Sequence, residues 1–233
     1  MLNHKKIPYK TKWISYPDIK TTLLSLGFGP SAISRNGSSF YTLPAIYDPP
    51  AEQGGKPTLL VDSLAIAEYL DARYPSSAIP PLFPAGSEAS ISLFVKHTQS
   101  NILPHLVQLV VPLVHQILDD RGAEFFERTR RPMFSSKNLK DVLVDAKERE
   151  EVWAKLFKEF DLLDSHLRKN EGGLFWMGEH VSYPDILLVA FFMWMERANS
   201  DRDPGFKTAW DVMKGWNGGR WEKLVNKFDL SEP

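Results

Sequence analysis

The chain has 233 residues, 43% apolar and 24% charged, with a formal net charge of −1 and no cysteine. That length accommodates two domains with cores of their own, and the composition is that of a globular protein. The near-neutral charge argues against a nucleic-acid binder, and the lack of cysteine excludes disulfides, thiolate catalysis and Cys-ligated zinc.

Tyr9 to Ser15 (YKTKWIS) alternates polar and apolar residues and reads as a short strand closed by Pro17. Ile19 to Leu26 has helical spacing before Gly27, and residues 29–42, rich in Gly, Ser, Pro and Asn, read as loop. Strands follow at Pro44–Tyr47 and Thr58–Val61, joined by PPAEQGGKP in an antiparallel hairpin. Asp62-Ser63 then opens a helix to Tyr74 whose buried stripe is Leu64, Ile66, Ala67 and Leu70. A helix N-terminus offers free amides and a positive dipole end to a carboxylate, although Asp and Ser are also ordinary cap residues. Pro44, in turn, could be no more than an edge-strand proline.

Four prolines between Pro75 and Pro84 make a stiff linker. Beyond it, helical spacing is expected near 87–120, 139–169, 185–199, 204–214 and 219–228. Pro104 and Pro112 should bend the first of these, either as a plain structural kink or to widen the wall of a hydrophobic pocket. In VSYPDILLVA, Ser182 and Asp185 have capping-box spacing, Val181 and Ile186 flank it as a hydrophobic staple, and Pro184 falls in the first turn. His97 and His105 lie eight apart on a helix with no third ligand at suitable spacing, so no metal is expected. Glu127 to Arg131 (ERTRR) reads as a solvated charged helix end, with an anion clamp as the alternative. No apolar run is long enough to span a bilayer and no signal peptide is evident, so a cytoplasmic chain without nucleic-acid or membrane partners is expected.

Together these features resemble a glutathione transferase. More narrowly, YKTKWISYPDI, TLPAIYDP, DSLAIAEYLDARYP, ERTRRPMF and WNGGRWEKL resemble the fungal glutathione transferases related to bacterial β-etherases. The resemblance implies a thioredoxin-like α/β domain over residues 1–75, a proline-rich linker over 76–86 and an all-helical domain over 87–233. It implies glutathione as co-substrate, a hydrophobic electrophile or phenolic second ligand, no metal, and a homodimer. Leu43, before a cis-Pro44, would offer its backbone to the cysteinyl part of glutathione. Ser63 would bind the γ-glutamyl carboxylate, and Asp62 the glutamyl ammonium.

One departure stands out. In that family a strand, a loop with a Ser, Tyr or Cys beside the glutathione sulfur, and a helix come first. Here MLNHKKIPYKT resembles the end of that helix running into the second strand. By that comparison the first strand, the activating loop and most of the first helix are missing, as in an N-terminally truncated product. The Tyr9–Ser15 strand would lack its usual neighbour and its half-domain would be strained or loosely ordered. No catalytic residue is therefore carried over, and Tyr9, Ser15 and Tyr16 read as packing or surface residues. The expected function is glutathione and aromatic-compound binding, with conjugation or aryl-ether cleavage if the missing segment is restored. The alternatives are a non-catalytic ligandin for phenolic compounds or a non-functional truncated product.

Overall fold

A computed structural model describes residues 1–34, 36–142, 145–171, 173–198 and 208–231. The chain forms two compact units, Met1–Leu82 and a second from Phe83 onward.

The first unit begins with a single helical turn, α1 (Leu2–Lys5). Tyr9 to Ser15 is then irregular, in contrast to the strand its alternation suggests. A strand exists only by its ladder, and no described segment pairs with this one. Ile14 and Tyr16 still pack onto Ile19, Leu23 and Phe28, the buried cluster built around α2 (Ile19–Ser25). Residues 29–42 are not all loop: β1 (Ala32–Ile33) and β2 (Ser39–Phe40) form a two-residue antiparallel ladder. Ser31 closes its base, accepting from Thr42 N–H at 2.8 Å and donating its own amide to Phe40 O.

The second hairpin matches expectation closely. β3 (Ala45–Asp48) and β4 (Thr58–Val61) pair antiparallel, with Ala45 opposite Val61 and Asp48 opposite Thr58. α3 (Ser63–Arg73) follows directly and buries Ile66, Ala67 and Leu70. Two polar devices fix α3 to its neighbours. Lys5 Nζ reaches Asp71 Oδ1 at 2.6 Å with both side chains almost fully buried. Asp48, at the far end of β3, accepts from Tyr69 at 2.6 Å and from Tyr74 at 2.7 Å.

The second unit is helical. α4 (Glu88–His97) and α5 (Leu103–Val114) are separated by one π-turn, Thr98–Ile102, where one long segment is expected. Pro104 accounts for the interruption, since it has no N–H for the carbonyl four residues back. α5 runs through Pro112 to Val114 and then tightens into a 3-10 turn, His115–Ile117. α6 (Asp120–Arg130), of which only the charged end at Glu127 to Arg131 is expected above, and α7 (Ala146–Leu167) come next. α8 (Tyr183–Arg197), α9 (Ala209–Met213) and α10 (Trp216–Val225) complete the unit. The first residues of the helix expected at 204–214 lie outside the described residues.

Phe160, Phe192 and Trp221 form the core of this unit, with Phe160 and Trp221 ring centroids 5.2 Å apart. α8 starts at the capping box its sequence announces. Ser182 N–H and Oγ–H donate to Asp185 Oδ2 at 2.8 and 2.7 Å, while Trp176 N–H donates to Oδ1 at 2.8 Å. WNGGRWEKL also finds its explanation here. Asn217, Gly218 and Gly219 are left-handed (φ 52, 69 and 74°), which turns the chain so that Arg220 Nε meets the buried Asp164 of α7 at 2.5 Å.

Candidate functional site

The hairpin register brings the sequence-predicted residues to one end of the first unit. Because Ala45 is the Cα partner of Val61, Pro44 and Asp62 are the next residues outward on adjacent strands. The Leu43–Pro44 bond is cis. Pro44 can give no N–H to the ladder, so pairing begins one residue later. Leu43 precedes it, 41% exposed, and its amide and carbonyl make no hydrogen bond among the described residues. An exposed, unpaired N–H and C=O just before a strand end can pair with a peptide laid alongside.

Asp62 and Ser63 are exposed at the start of α3. Asp62 holds φ 78°, an unusual backbone for a residue with a Cβ. Its Oδ1 accepts from Leu64 N–H at 3.0 Å and Ala65 N–H at 3.1 Å, so two of the helix's orphan amides are already satisfied. The Ser63 amide and hydroxyl have no partner among the described residues and lie at the positive end of an eleven-residue helix. Leu43, Pro44, Asp62 and Ser63 thus share one exposed edge that offers peptide-like pairing and anion-binding donors.

The other candidates resolve into structural contacts. Tyr9 donates its hydroxyl to Asn3 Oδ1 at 2.9 Å, and Tyr16 packs on the α2 cluster. In ERTRR, Glu127 Oε1 accepts from Leu139 N–H at 2.9 Å, and Arg131 donates to Ser136 O at 3.0 Å. The Arg130 guanidinium lies 5.0 Å from the Phe126 ring centre. These groups close the end of α6 and the turn after it. His97 Nε2 of α4 and Glu159 Oε2 of α7 lie 3.1 Å apart without hydrogen-bond geometry. Among the described residues, no group of three His, Asp or Glu is placed to hold a metal ion. The Asp48–Tyr69–Tyr74 contact escapes the sequence reading, because a carboxylate and two phenols separated by 21 and 26 positions carry no local signal.

An α/β unit ending in a proline-initiated hairpin and a capped helix, followed by an all-helical unit, defines the class: a thioredoxin-like domain joined to an all-α domain. The chain belongs to the glutathione transferase family. Residues 1–73 match the glutathione S-transferase N-terminal domain and residues 89–230 the C-terminal domain. It is 35% identical to the glutathione S-transferase-like protein ustS of Aspergillus flavus, over 96% of this chain and 83% of that protein. Among solved structures it is similar to the glutathione S-transferase CsGST63524 of Ceriporiopsis subvermispora in complex with glutathione. That likeness has a TM-score of 0.85 and 32% identity, over 99% of this chain and 88% of the other. Glutathione transferase GSTFuA3 of Phanerochaete chrysosporium also gives a TM-score of 0.85, at 29% identity over 100% and 88% of the two chains.

Proposed function

We propose that this glutathione transferase-like protein binds glutathione through Leu43, Pro44, Asp62 and Ser63, together with a hydrophobic, aromatic compound. The observation that carries the reading is the register of Ala45 opposite Val61, which puts an unpaired peptide edge beside an open helix N-terminus. The Leu43 backbone then pairs with the cysteinyl unit, and the Ser63 hydroxyl and amide hold the γ-glutamyl carboxylate. Asp62 Oδ1 is occupied by the cap, so pairing with the glutamyl ammonium falls to Oδ2. The complex of a similar solved protein with glutathione supports the same ligand. The protein acts in the cytoplasm as a homodimer, in detoxification.

Binding is the better-supported half of this reading. Conjugation needs a hydroxyl or amide at the glutathione sulfur, and the sequence motifs supply no candidate. The Tyr9 hydroxyl is already committed to Asn3. Holding phenolic compounds without turnover is therefore the second reading.

A melt with and without glutathione tests the proposal. At about a hundredfold excess over Kd, a ligand stabilises the fold by about 2.7 kcal/mol, which raises Tm by roughly 5–10 °C for a chain of this size. Ser63→Ala removes a hydrogen bond to a charged group and should weaken binding by about 10- to 100-fold. An unchanged Tm at millimolar glutathione overturns the assignment. Turnover of a chromogenic aryl halide above the uncatalysed rate would replace the holding role with an enzymatic one.

A further inference from the structure

Asparagine is followed by glycine twice in this chain, at Asn36–Gly37 and at Asn217–Gly218. The pair is chemically labile. The backbone nitrogen of the second residue can attack the side-chain carbonyl of the first, and glycine has no Cβ to bar the approach. Reaction then depends on how freely the asparagine side chain can turn, and the fold treats the two pairs in opposite ways.

Asn36 lies at the tip of the β1–β2 hairpin, where Asn36, Gly37 and Ser38 are all exposed. Its Oδ1 accepts from Ser38 N–H at 3.1 Å, an Asx turn that curls the side chain back along the Gly37 peptide. The Ser34 hydroxyl donates to the same oxygen. Two donors therefore stand where negative charge develops when the side-chain carbonyl is attacked. Asn36 Nδ2, the group that must leave, makes no hydrogen bond among the described residues. The Gly37 N–H donates to Ser34 O at 2.9 Å, a surface bond that water can replace.

Asn217 carries the same dipeptide in a fixed setting. Its Nδ2 donates to Asp161 Oδ1 of α7 at 3.1 Å. Its Oδ1 accepts at 2.8 Å from Nε1 of Trp221, a fully buried side chain of α10. Both ends of the amide are anchored, so turning it toward Gly218 breaks two hydrogen bonds. That slows attack by roughly 30-fold.

We propose that Asn36–Gly37 is a site of spontaneous modification, at which the folded protein converts Asn36 to aspartate and isoaspartate while Asn217 stays intact. The Gly37 nitrogen, having lost its proton to hydroxide, bonds to Cγ of Asn36. The Cγ–Nδ2 bond then breaks, and ammonia leaves with a proton taken from water. One water molecule opens the resulting five-membered imide, so the net exchange is water taken up for ammonia released. Opening at one carbonyl gives aspartate. Opening at the other gives isoaspartate, whose main chain runs through the former side chain and is one methylene longer. Either product places a carboxylate on the turn, and isoaspartate also changes the spacing of the bonds that close it. The base of this hairpin, where Thr42 N–H meets Ser31 Oγ, adjoins Leu43, so the modified turn lies on the segment leading into the candidate site. The reaction itself does not depend on what binds there.

Peptide mapping by mass spectrometry of the full chain, held at mildly alkaline pH for several weeks, tests this. Labelling with an isoaspartyl carboxyl methyltransferase reads the second product independently. The peptide holding Asn36 should convert roughly 30 times faster than the one holding Asn217. In guanidinium chloride the two rates should converge, because the difference belongs to the fold. Asn36→Gln should lose the label at this position, and Gly37→Ala should slow its appearance. A side chain at Gly37 meets open space, and circular dichroism checks that both variants keep the fold. Equal conversion of the two asparagines in the folded protein, or an Asn36 that stays unconverted, overturns the proposal. So does a difference that survives in denaturant, which would assign it to the neighbouring residues and not to the hydrogen bonds.

Discussion

Asp185→Ala removes the acceptor on which the start of α8 depends, and its cost can be worked from the geometry. The carboxyl is 1% exposed and accepts from Ser182 N–H, Ser182 Oγ–H and Trp176 N–H. The serine hydroxyl can rotate to another acceptor, but the two backbone amides cannot. Each orphaned amide costs about 1–3 kcal/mol, for roughly 4 kcal/mol in total. Burial pushes the Asp185 carboxyl up from 3.8 to about 6, against the pull of its hydrogen bonds. Between those values the folded protein holds more protons than the unfolded chain. The stability this group contributes is therefore complete below about pH 4 and lost as pH rises through about 6, and the loss amounts to about 3 kcal/mol. The difference between wild type and Asp185→Ala should accordingly be near 4 kcal/mol below about pH 4, about 3 kcal/mol at pH 4.5 and about 1 kcal/mol at pH 7.5. In Tm this is roughly 8–16 °C falling to a few degrees. Urea melts followed by circular dichroism at several pH values measure the difference directly, since other titrating groups cancel between the two proteins. A variant within about 1 kcal/mol of wild type at pH 4.5 would refute the satisfied-donor argument. A difference that widens with pH would refute the role given to burial.

Three further outcomes follow from packing elsewhere. Asp164, 3% exposed at its side chain, holds Arg220, itself only 16% exposed. Asp164→Ala leaves that guanidinium without its carboxylate, holding only Gly173 O at 3.4 Å, and should cost about 3–5 kcal/mol in a denaturant melt, with Asp164→Ala/Arg220→Ala recovering part of it. The partner Arg168 is 65% exposed, so its removal should be nearly silent. Gly219→Ala forces a side chain into the left-handed region at φ 74° and should cost about 1–2 kcal/mol. Gly215→Ala, at φ −83° with open space around it, should be neutral or slightly stabilising in the same melt. Finally, the hydrogen bond to Asp48 raises the Tyr74 phenol above its usual range. Asp48→Ala should bring one tyrosine back toward that range in an ultraviolet titration, and an unchanged profile would sink the assignment.

What the sequence determined by itself was local. The Ser182–Asp185 box, the hairpin joining Ala45–Asp48 to Thr58–Val61 and the cap on α3 each lie within about twenty residues, and their donors and acceptors are bound to meet once the chain turns. One hairpin register likewise brings Leu43, Pro44, Asp62 and Ser63 together, but their reading as ligand contacts came from the family resemblance. The resemblance to glutathione transferases supplied the ligand, which spacing alone did not.

Tertiary structure decided everything that depends on a distant partner. Tyr9 to Ser15 alternates like a strand yet forms none, because alternation sets which side chains share a face and cannot supply a neighbouring backbone. The left-handed turn at Asn217 to Gly219 becomes intelligible only with Asp164, 56 residues before Arg220, already buried. Asp62 shows both levels at once: its sequence allowed a cap or a ligand contact. The fold commits one oxygen to Leu64 and Ala65, and leaves the Ser63 amide and hydroxyl unpartnered among the described residues. Short-range hydrogen bonding can be read along a chain because few partners are in reach, whereas long-range pairing is fixed only when the whole core has closed.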